Sequence, residues 1–181
     1  MDFYDVLSKR VSTRKFTDAK LSDEDIKILI DAANKAPIAM GQYDASRLTV
    51  IEDRSLIKEI SEEYKEFTGK ESDALYNAPV FIIFSSNKDN TSKYEDAGCV
   101  LENIALAATS LNLGSCYIRG LVNNLGKEAK YIDKLKLDEG YYPVSGIIVG
   151  HSEDELKGKD HNIITNYIWQ TPRLDGIIKH C

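Results

Sequence analysis

The sequence lacks the motifs that identify a catalytic class on their own. None of its 11 glycines forms G-x-G-x-x-G or G-x-x-x-x-G-K, so the dinucleotide and P-loop fingerprints are both absent. It contains no G-x-S-x-G and no H-E-x-x-H, and the spacing of its three histidines fits no zinc site. Serine-hydrolase and metalloprotease chemistry therefore have no sequence support, and we expect no metal.

Cysteines and long apolar runs are also scarce. The three cysteines form no C-x-x-C pair and indicate a reducing compartment, so the cytoplasm is the expected location. Cys116, on a predicted strand, is interpreted as a buried structural thiol because no histidine is positioned beside it. The longest apolar run covers residues 78–84, far short of the roughly 20 residues of a membrane span. The acidic N-terminus lacks a secretory signal, and we expect no membrane partner.

Length and composition indicate one ordinary globular domain. The chain has 181 residues, 43% of them hydrophobic and 29% charged, which is enough for a single core over residues 1–181. Its formal net charge of -6 argues against a broad nucleic-acid surface, which would need cations spread over a face.

One short stretch opposes this overall negative charge. Residues 9–15 contain four cations and two hydroxyls. In an extended segment Arg10, Ser12 and Arg14 point to one side, while Val11 and Thr13 point to the other. Two guanidinium groups and a hydroxyl suit a phosphate monoester. The alternative is a solvated basic face after a short helix.

Hydrophobic periodicity predicts alternating helices and strands. Helices are predicted over residues 2–10, 22–36, 55–67, 95–113 and 125–135, and strands over 48–52, 80–85, 115–119 and 144–150, with a loop at 120–124. Ser22 and Asp25 form a capping-box pattern. The continuous apolar character of the second strand predicts a central position with helices on both faces of the sheet.

Two further segments have unusual composition. Residues 37–41 form a small, largely apolar loop directly after a helix, which packs either against the core of its own chain or against something else. Residues 151–181 form a C-terminal extension, in which 163–169 has strand character and contains the single tryptophan. This segment needs an edge of its own sheet or a partner subunit to cover it.

These landmarks, taken in order, resemble the FMN-dependent nitroreductase family of flavin oxidoreductases. The resemblance implies an α+β fold with a mixed, mainly antiparallel sheet flanked by helices, in a homodimer with FMN at the interface. It covers most of residues 3–160 and rests on Arg10-x-Ser12-x-Arg14 with Phe16, Ala36-Pro37, Ala78-Pro79-Val80, Asp96-Ala97-Gly98, Leu113-Gly114-Ser115-Cys116, Arg119-Gly120 and Ile148-Val149-Gly150.

The resemblance also implies which residues bind the cofactor. Arg10 and Ser12, with Val11 between them, are expected at the phosphate and ribityl chain, and Arg14 near flavin N1 and O2. Lys159, or Lys157, would close on the phosphate from the tail. The remaining expected contacts are Arg119 and Gly120 near N5 and O4, and Pro37, Ile38, Ala39, Met40 and Gly41, which would reach the ring from the partner subunit.

Some positions depart from the family pattern. Many members have serines and an asparagine where this chain has Ile38, Ala39 and Gly41, and some have glutamate at the position of Arg119. Side-chain hydrogen bonds to the flavin in the loop would be lost here or replaced by backbone bonds.

The implied function is an FMN-dependent oxidoreductase. It would move hydride from NAD(P)H through flavin N5 to an electron-poor acceptor, such as a nitroaromatic or a quinone, by a ping-pong mechanism without a catalytic side chain. The alternatives are an FMN-dependent dehydrogenase or dehalogenase, a non-catalytic flavin-binding or sensing protein, and an anion-binding module without flavin.

Overall fold

The computed structural model describes residues 1–159, 161 and 163. In this part of the chain the helices are α1 Phe3–Lys9, α2 Asp23–Ala33, α3 Arg54–Thr68, α4 Ser92–Ser110 and α5 Gly120–Leu125, and the strands are β1 Ser46–Ile51, β2 Val80–Ser86, β3 Gly114–Ile118 and β4 Tyr142–Gly150. Short 3-10 turns cover Ala39–Gly41, Tyr43–Ala45, Gly126–Glu128 and Lys130–Leu135. Among these described helices, none has the length and apolarity needed to cross a bilayer.

The four strands form one sheet in the order β1-β2-β4-β3, and each neighbouring pair is antiparallel. A parallel bridge between Ser12 and Ser115 adds a short extension at the β3 edge. Every residue of the central strand β2 is buried, as its apolar sequence predicts. The predicted α+β fold with a mainly antiparallel sheet is confirmed.

A helix layer covers each face of this sheet. Along β2, Phe81 and Ile83 pack into a core shared with α3 and α5. Val80, Ile82 and Phe84 point the opposite way, into a core shared with α2 and α4. This alternation follows from the two-residue period of a strand, and it confirms the predicted layers.

The predicted start of α2 is confirmed in atomic detail. The Ser22 hydroxyl accepts a hydrogen bond from the Asp25 N–H at 3.1 Å, and the Asp25 carboxylate accepts one from the Ser22 N–H at 3.0 Å. The Ser22 hydroxyl, and then its backbone N–H, lower the pKa of Asp25 because they stabilise the ionised carboxylate.

One pair of predictions is wrong. Residues 120–124, predicted as a loop, belong to helix α5, whereas 125–135, predicted as a helix, consists of one helical residue followed by 3-10 turns. Leu121, Val122 and Leu125 are buried on one side of α5, and this burial outweighs the low helix propensity of Gly120 and the asparagines that follow. Gly126, with a φ of 65°, then ends the helix. The strand predicted over 163–169 lies outside the described residues, apart from Ile163.

Candidate functional site

The basic segment of residues 10–14 follows α1 and runs beside the first half of β3. The Thr13 N–H donates a hydrogen bond to the Ser115 carbonyl at 2.8 Å. The Thr13 side chain is buried against Gly114, where an added Cβ would lie 2.6 Å from Thr13 Cγ2. Gly114 therefore allows the segment to approach the sheet closely.

Thr13 is the buried residue of the segment. Ser12 and Arg14 are exposed, and Arg10 and Val11 are half-buried. Arg10, Ser12 and Arg14 all act on the buried thiol of Cys116. Burial raises the pKa of Cys116, while the Arg14 charge, the nearby Ser12 hydroxyl and the Arg10 charge oppose this rise. Ser12 also forms a parallel bridge with Ser115, so the segment that carries the three predicted anion-binding residues lies along the β3 edge of the sheet.

Neither arginine in this segment has a strong acidic partner among the described residues. Arg10 Nε lies 3.9 Å from Glu102 Oε1, and both side chains are partly exposed. The Arg14 guanidinium lies 5.9 Å from the centre of the Tyr76 ring. Among the described residues, no carboxylate lies within 4.0 Å of Arg14. Both guanidinium groups can therefore bind an added anion without breaking a strong ion pair.

The first part of the C-terminal extension, residues 151–159, packs near the end of α1 and the basic segment that follows it. The Glu153 N–H donates to the Lys15 carbonyl at 3.2 Å. Gly158 packs so closely on the carbonyl oxygen of Ser8 that no side chain fits there. The two predicted tail lysines flank this glycine, and both are exposed beside the end of α1. Lys157 forms a 2.8 Å surface pair with Glu155, which leaves Lys159 as the better candidate for an anion.

Arg119 and Gly120 lie at the other end of β3. From Ser115 to Ile118, the residue before Arg119, the strand extends roughly 10 Å, at about 3.3 Å per residue. The Arg119 guanidinium lies 5.4 Å from the centre of the Tyr94 ring, and Gly120 is the first residue of α5. Tyr94 also lines a cavity of about 450 Å³ between the start of α4 and α5. An elongated ligand along β3 would therefore meet cations at both ends.

The loop of residues 37–41 lies at the first turns of α4. Ile38 is buried in the α2 and α4 core, whereas Pro37, Met40 and Gly41 are exposed. The Ala39 N–H donates to Asp96 Oδ1 at 2.8 Å. In the described part of the chain, no hydrogen bond or ion pair joins this loop to residues 10–14. Within one chain, residues 157–159 thus lie next to the start of the 10–14 segment, whereas the loop of residues 37–41 is held by other contacts.

Sequence analysis assigned no role at these sites to three residues, of which Asp96 was named only as a landmark of the family resemblance. Lys88 and Asp96 hold the loop, and Gly158 docks the tail. A glycine between two lysines is a weak signal of close backbone approach. No local pattern indicates that Lys88 and Asp96 pair, because the pairing depends on how β2 and α4 pack.

Comparisons with known proteins agree with this arrangement. The model of the Nitroreductase family matches residues 7–151. A relative from Archaeoglobus fulgidus, provisionally named NADH dehydrogenase/NAD(P)H nitroreductase, is 30% identical over 152 residues, which are 81% of this chain and 83% of the relative. The FMN reductase [NAD(P)H] of Bacillus subtilis is 28% identical over 175 residues, covering 84% of this chain and 67% of its own length.

Solved structures share the same fold. A Bacteroides fragilis nitroreductase with bound FMN has a TM-score of 0.83 at 23% identity, covering 94% of this chain and all (100%) of its own. An FMN-dependent nitroreductase of Clostridium difficile has a TM-score of 0.74 at 29% identity, covering 90% and 98%. Because the family model spans most of the chain and the architecture agrees, this protein belongs to the nitroreductase family.

Proposed function

We propose that this protein is an FMN-dependent NAD(P)H oxidoreductase. The observation that carries the proposal is the cluster of accessible cations around Ser12 in a protein with a net charge of -6. Relatives named as FMN reductase or NADPH-dependent oxidoreductase support it. Family membership supports the same conclusion.

The residues of the cluster suit a phosphate group. Arg10 and Arg14 supply guanidinium donors without strong competing carboxylates, and the exposed Ser12 hydroxyl supplies a neutral donor. Lys159 adds a cation from the tail, which Gly158 docks against α1. The donor set therefore fits the phosphate end of FMN, with Arg10, Ser12 and Lys159 as its main contacts.

The far end of β3 suits the flavin ring. Arg14 lies between Thr13, which packs on Gly114, and Phe16, which packs on Gly150, and its charge would favour the reduced, anionic flavin. Arg119 and the first backbone amides of α5 would contact the ring edge. The separate loop at Ala39–Gly41 presents Met40 outward, 88% exposed. In a homodimer it would reach the ring bound by the other subunit, and we propose that assembly.

FMN, when bound, supplies hydride transfer from NAD(P)H to an electron-poor acceptor such as a nitroaromatic or a quinone. The side chains of this protein bind the phosphate, orient the ring and set the local charge. No described side chain needs to act as a nucleophile, which agrees with the burial that raises the pKa of the Cys116 thiol.

The test is an absorbance spectrum of the purified protein with and without added FMN, followed by chromatography of the heat-released chromophore. We expect flavin bands, one FMN per chain, a dimer by light scattering, and bleaching of the bands by NADH or NADPH. Restoration of colour by a nitroaromatic or a quinone completes the cycle. Tight flavin that neither nucleotide reduces favours a sensing protein, whereas a protein that takes up no FMN contradicts the proposal.

A further inference from the structure

Lys88 and Asp96 form a buried ion pair away from the cation cluster. Lys88 Nζ lies 2.7 Å from Asp96 Oδ2, and the two side chains are only 4% and 3% exposed. Burying two charges costs free energy unless each is fully hydrogen-bonded, so such a pair needs a structural or functional reason.

The third member of this arrangement is the backbone of Ala39. Its N–H donates to Asp96 Oδ1 at 2.8 Å, and its carbonyl accepts a hydrogen bond from Lys88 Nζ at 3.1 Å. The Asp96 carboxylate thus binds the N–H of Ala39, and the Lys88 ammonium binds the carbonyl of the same residue. Together with the ion pair, these bonds close a ring of three strong contacts, which we call the Ala39 clamp.

The lysine of the clamp is itself fixed. The backbone N–H of Lys88 donates to the Ser86 hydroxyl at 3.2 Å, and this hydroxyl donates to the Ala45 carbonyl at 2.9 Å. Asp96 is fixed by its place in α4. The clamp therefore ties residues 38–41 to the end of β2 and to α4, which are two rigid elements of the fold.

The clamped loop has an anchored base and an exposed tip. Ile38 is buried on one side of Ala39. On the other side Met40 is 88% exposed and has a φ of 58°, a left-handed conformation that non-glycine residues seldom adopt. A backbone conformation of this kind persists only where its surroundings impose it. Here the Gly41 N–H donates to the Ile38 carbonyl at 2.9 Å across the turn, and the clamp fixes Ala39 at its base.

We infer that Lys88 and Asp96 are positioning residues, which fix residues 38–41 in the conformation that meets the flavin ring. This inference rests on the proposed function. Because the clamp holds backbone atoms, it needs no particular side chain at Ala39, and it accounts for an ordered loop that lacks serine and asparagine side chains. The clamp acts through the loop and does not touch the reacting atoms.

The experiment compares Lys88→Met, the double variant Lys88→Met/Asp96→Asn and the control Lys35→Met, an exposed lysine just after α2. Amide hydrogen exchange of the 38–41 peptide is measured without flavin, and the FMN dissociation constant and visible spectrum are measured by titration. For Lys88→Met we expect at least tenfold faster exchange at 38–41, at least tenfold weaker FMN binding and a shifted flavin spectrum. The control should match the wild type in all three.

The double variant separates positioning from stability. It carries no unpaired buried charge, and the side-chain oxygen of the introduced asparagine can still accept the Ala39 N–H, so its unfolding midpoint should recover toward the wild-type value. Its Ala39 carbonyl still lacks the lysine donor, so exchange at 38–41 and FMN binding should remain impaired. If Lys88→Met fails to fold, exchange at 38–41 and FMN binding are compared between the double variant and the wild type.

The possible failures are distinguishable. If the wild type binds FMN while folded variants keep wild-type exchange, affinity and spectrum, the inference is overturned and the proposed function stands. Faster exchange with unchanged affinity and spectrum also overturns the role toward the flavin. If the wild type takes up no FMN, the proposed function fails, and this role fails with it.

Discussion

Residues 10–14 and residues 38–41 are two partly exposed segments that the fold holds in different ways. The first is held by backbone bonds, such as that from the Thr13 N–H to the Ser115 carbonyl at 2.8 Å. The second is held by the charged side chains of Lys88 and Asp96. Where the backbone supplies the anchor, charged side chains remain available for a ligand. Where charged side chains supply the anchor, they are fully used by the structure.

The ion pairs of the two regions differ accordingly. Arg10 and Glu102 are 3.9 Å apart and partly exposed, whereas Lys88 and Asp96 are 2.7 Å apart and almost fully buried. Exposed pairs contribute about 0 to 1 kcal/mol, but removing one member of a buried pair costs about 3 to 5 kcal/mol. Substitutions in the second region should therefore cause the larger losses of stability, whereas those in the first should act mainly on ligand binding.

The largest expected effect is on folding stability in Asp96→Ala. This change leaves the Lys88 ammonium buried without its counter-charge and removes the acceptor of the Ala39 N–H. We expect the free energy of unfolding to fall by about 3 to 5 kcal/mol, measured by urea denaturation of the flavin-free protein. Glu102→Ala is the control and should change it by less than about 1 kcal/mol. Equal losses in both variants would contradict the distinction between the two regions.

The next effect is on FMN affinity in Arg10→Ala and Arg14→Ala. Each loses charge-assisted bonds to the cofactor, so we expect binding to weaken by about 1 to 3 kcal/mol, or about 5- to 150-fold. Arg14→Ala should also lower the flavin midpoint potential, because a positive charge near the ring favours the reduced, anionic form. Titration and spectroelectrochemistry measure both quantities.

Lys15→Ala is the matched control for the two arginine variants. Lys15 adjoins Arg14 but lies 3.8 Å from Asp154 in an exposed pair. Its removal should leave affinity and potential nearly unchanged. If both arginine variants bind FMN as tightly as the wild type does, residues 10–14 do not form the phosphate site.

A smaller effect on affinity is expected for Gly158→Ala. A Cβ at this position would overlap the Ser8 carbonyl oxygen, so residues 157–159 must move away from α1. We expect FMN binding to weaken by roughly fivefold, as for the loss of one or two partly exposed cation contacts. The double variant Lys157→Ala/Lys159→Ala removes these charges without moving the backbone and should give a similar loss. A loss confined to Gly158→Ala would mean that the lysines do not contact FMN.

The fold was largely predictable because its signals are local. The apolar run 80–84, the capping box at Ser22 and the periodicity of α4 each specify an element without knowledge of distant contacts. The prediction failed at 120–135, where burial of the α5 face overrode local propensity. A short helix flanked by glycines depends on tertiary packing, which a single sequence does not reveal.

The candidate site was predictable only in part. Arg10, Ser12 and Arg14 are adjacent in sequence, so their alternation is visible before folding. Their proximity to Lys159 follows from the docking of Gly158 on α1, and the Ala39 clamp joins residues that are 49 and 57 positions apart in sequence. Contacts of this range are set by chain topology and leave no periodic signal.

The smallest expected effect concerns Cys116, which reports on the anchoring of residues 10–14. Burial raises the pKa of this thiol, so the folded protein keeps its proton at pH values where the unfolded thiol, with a pKa of about 8.5, has already ionised. The folded state then binds more protons than the unfolded state. Stability from this group is therefore complete below about pH 8.5 and is lost as the pH rises toward the folded pKa. Comparison with Cys116→Ala at pH 7.5 and 10 isolates this loss.

Alkylation gives an independent check of the same anchoring. At pH 8 we expect iodoacetamide to modify the exposed Cys99 within minutes and to leave Cys116 protected, as measured by mass spectrometry of each peptide. Gly114→Ala should increase labelling of Cys116, because the added Cβ pushes Thr13 away from β3. Asp96→Ala, if folded, should not increase it, because the Ala39 clamp holds a different segment. Rapid labelling of Cys116 in the wild type would mean that backbone bonds do not hold residues 10–14 against the sheet.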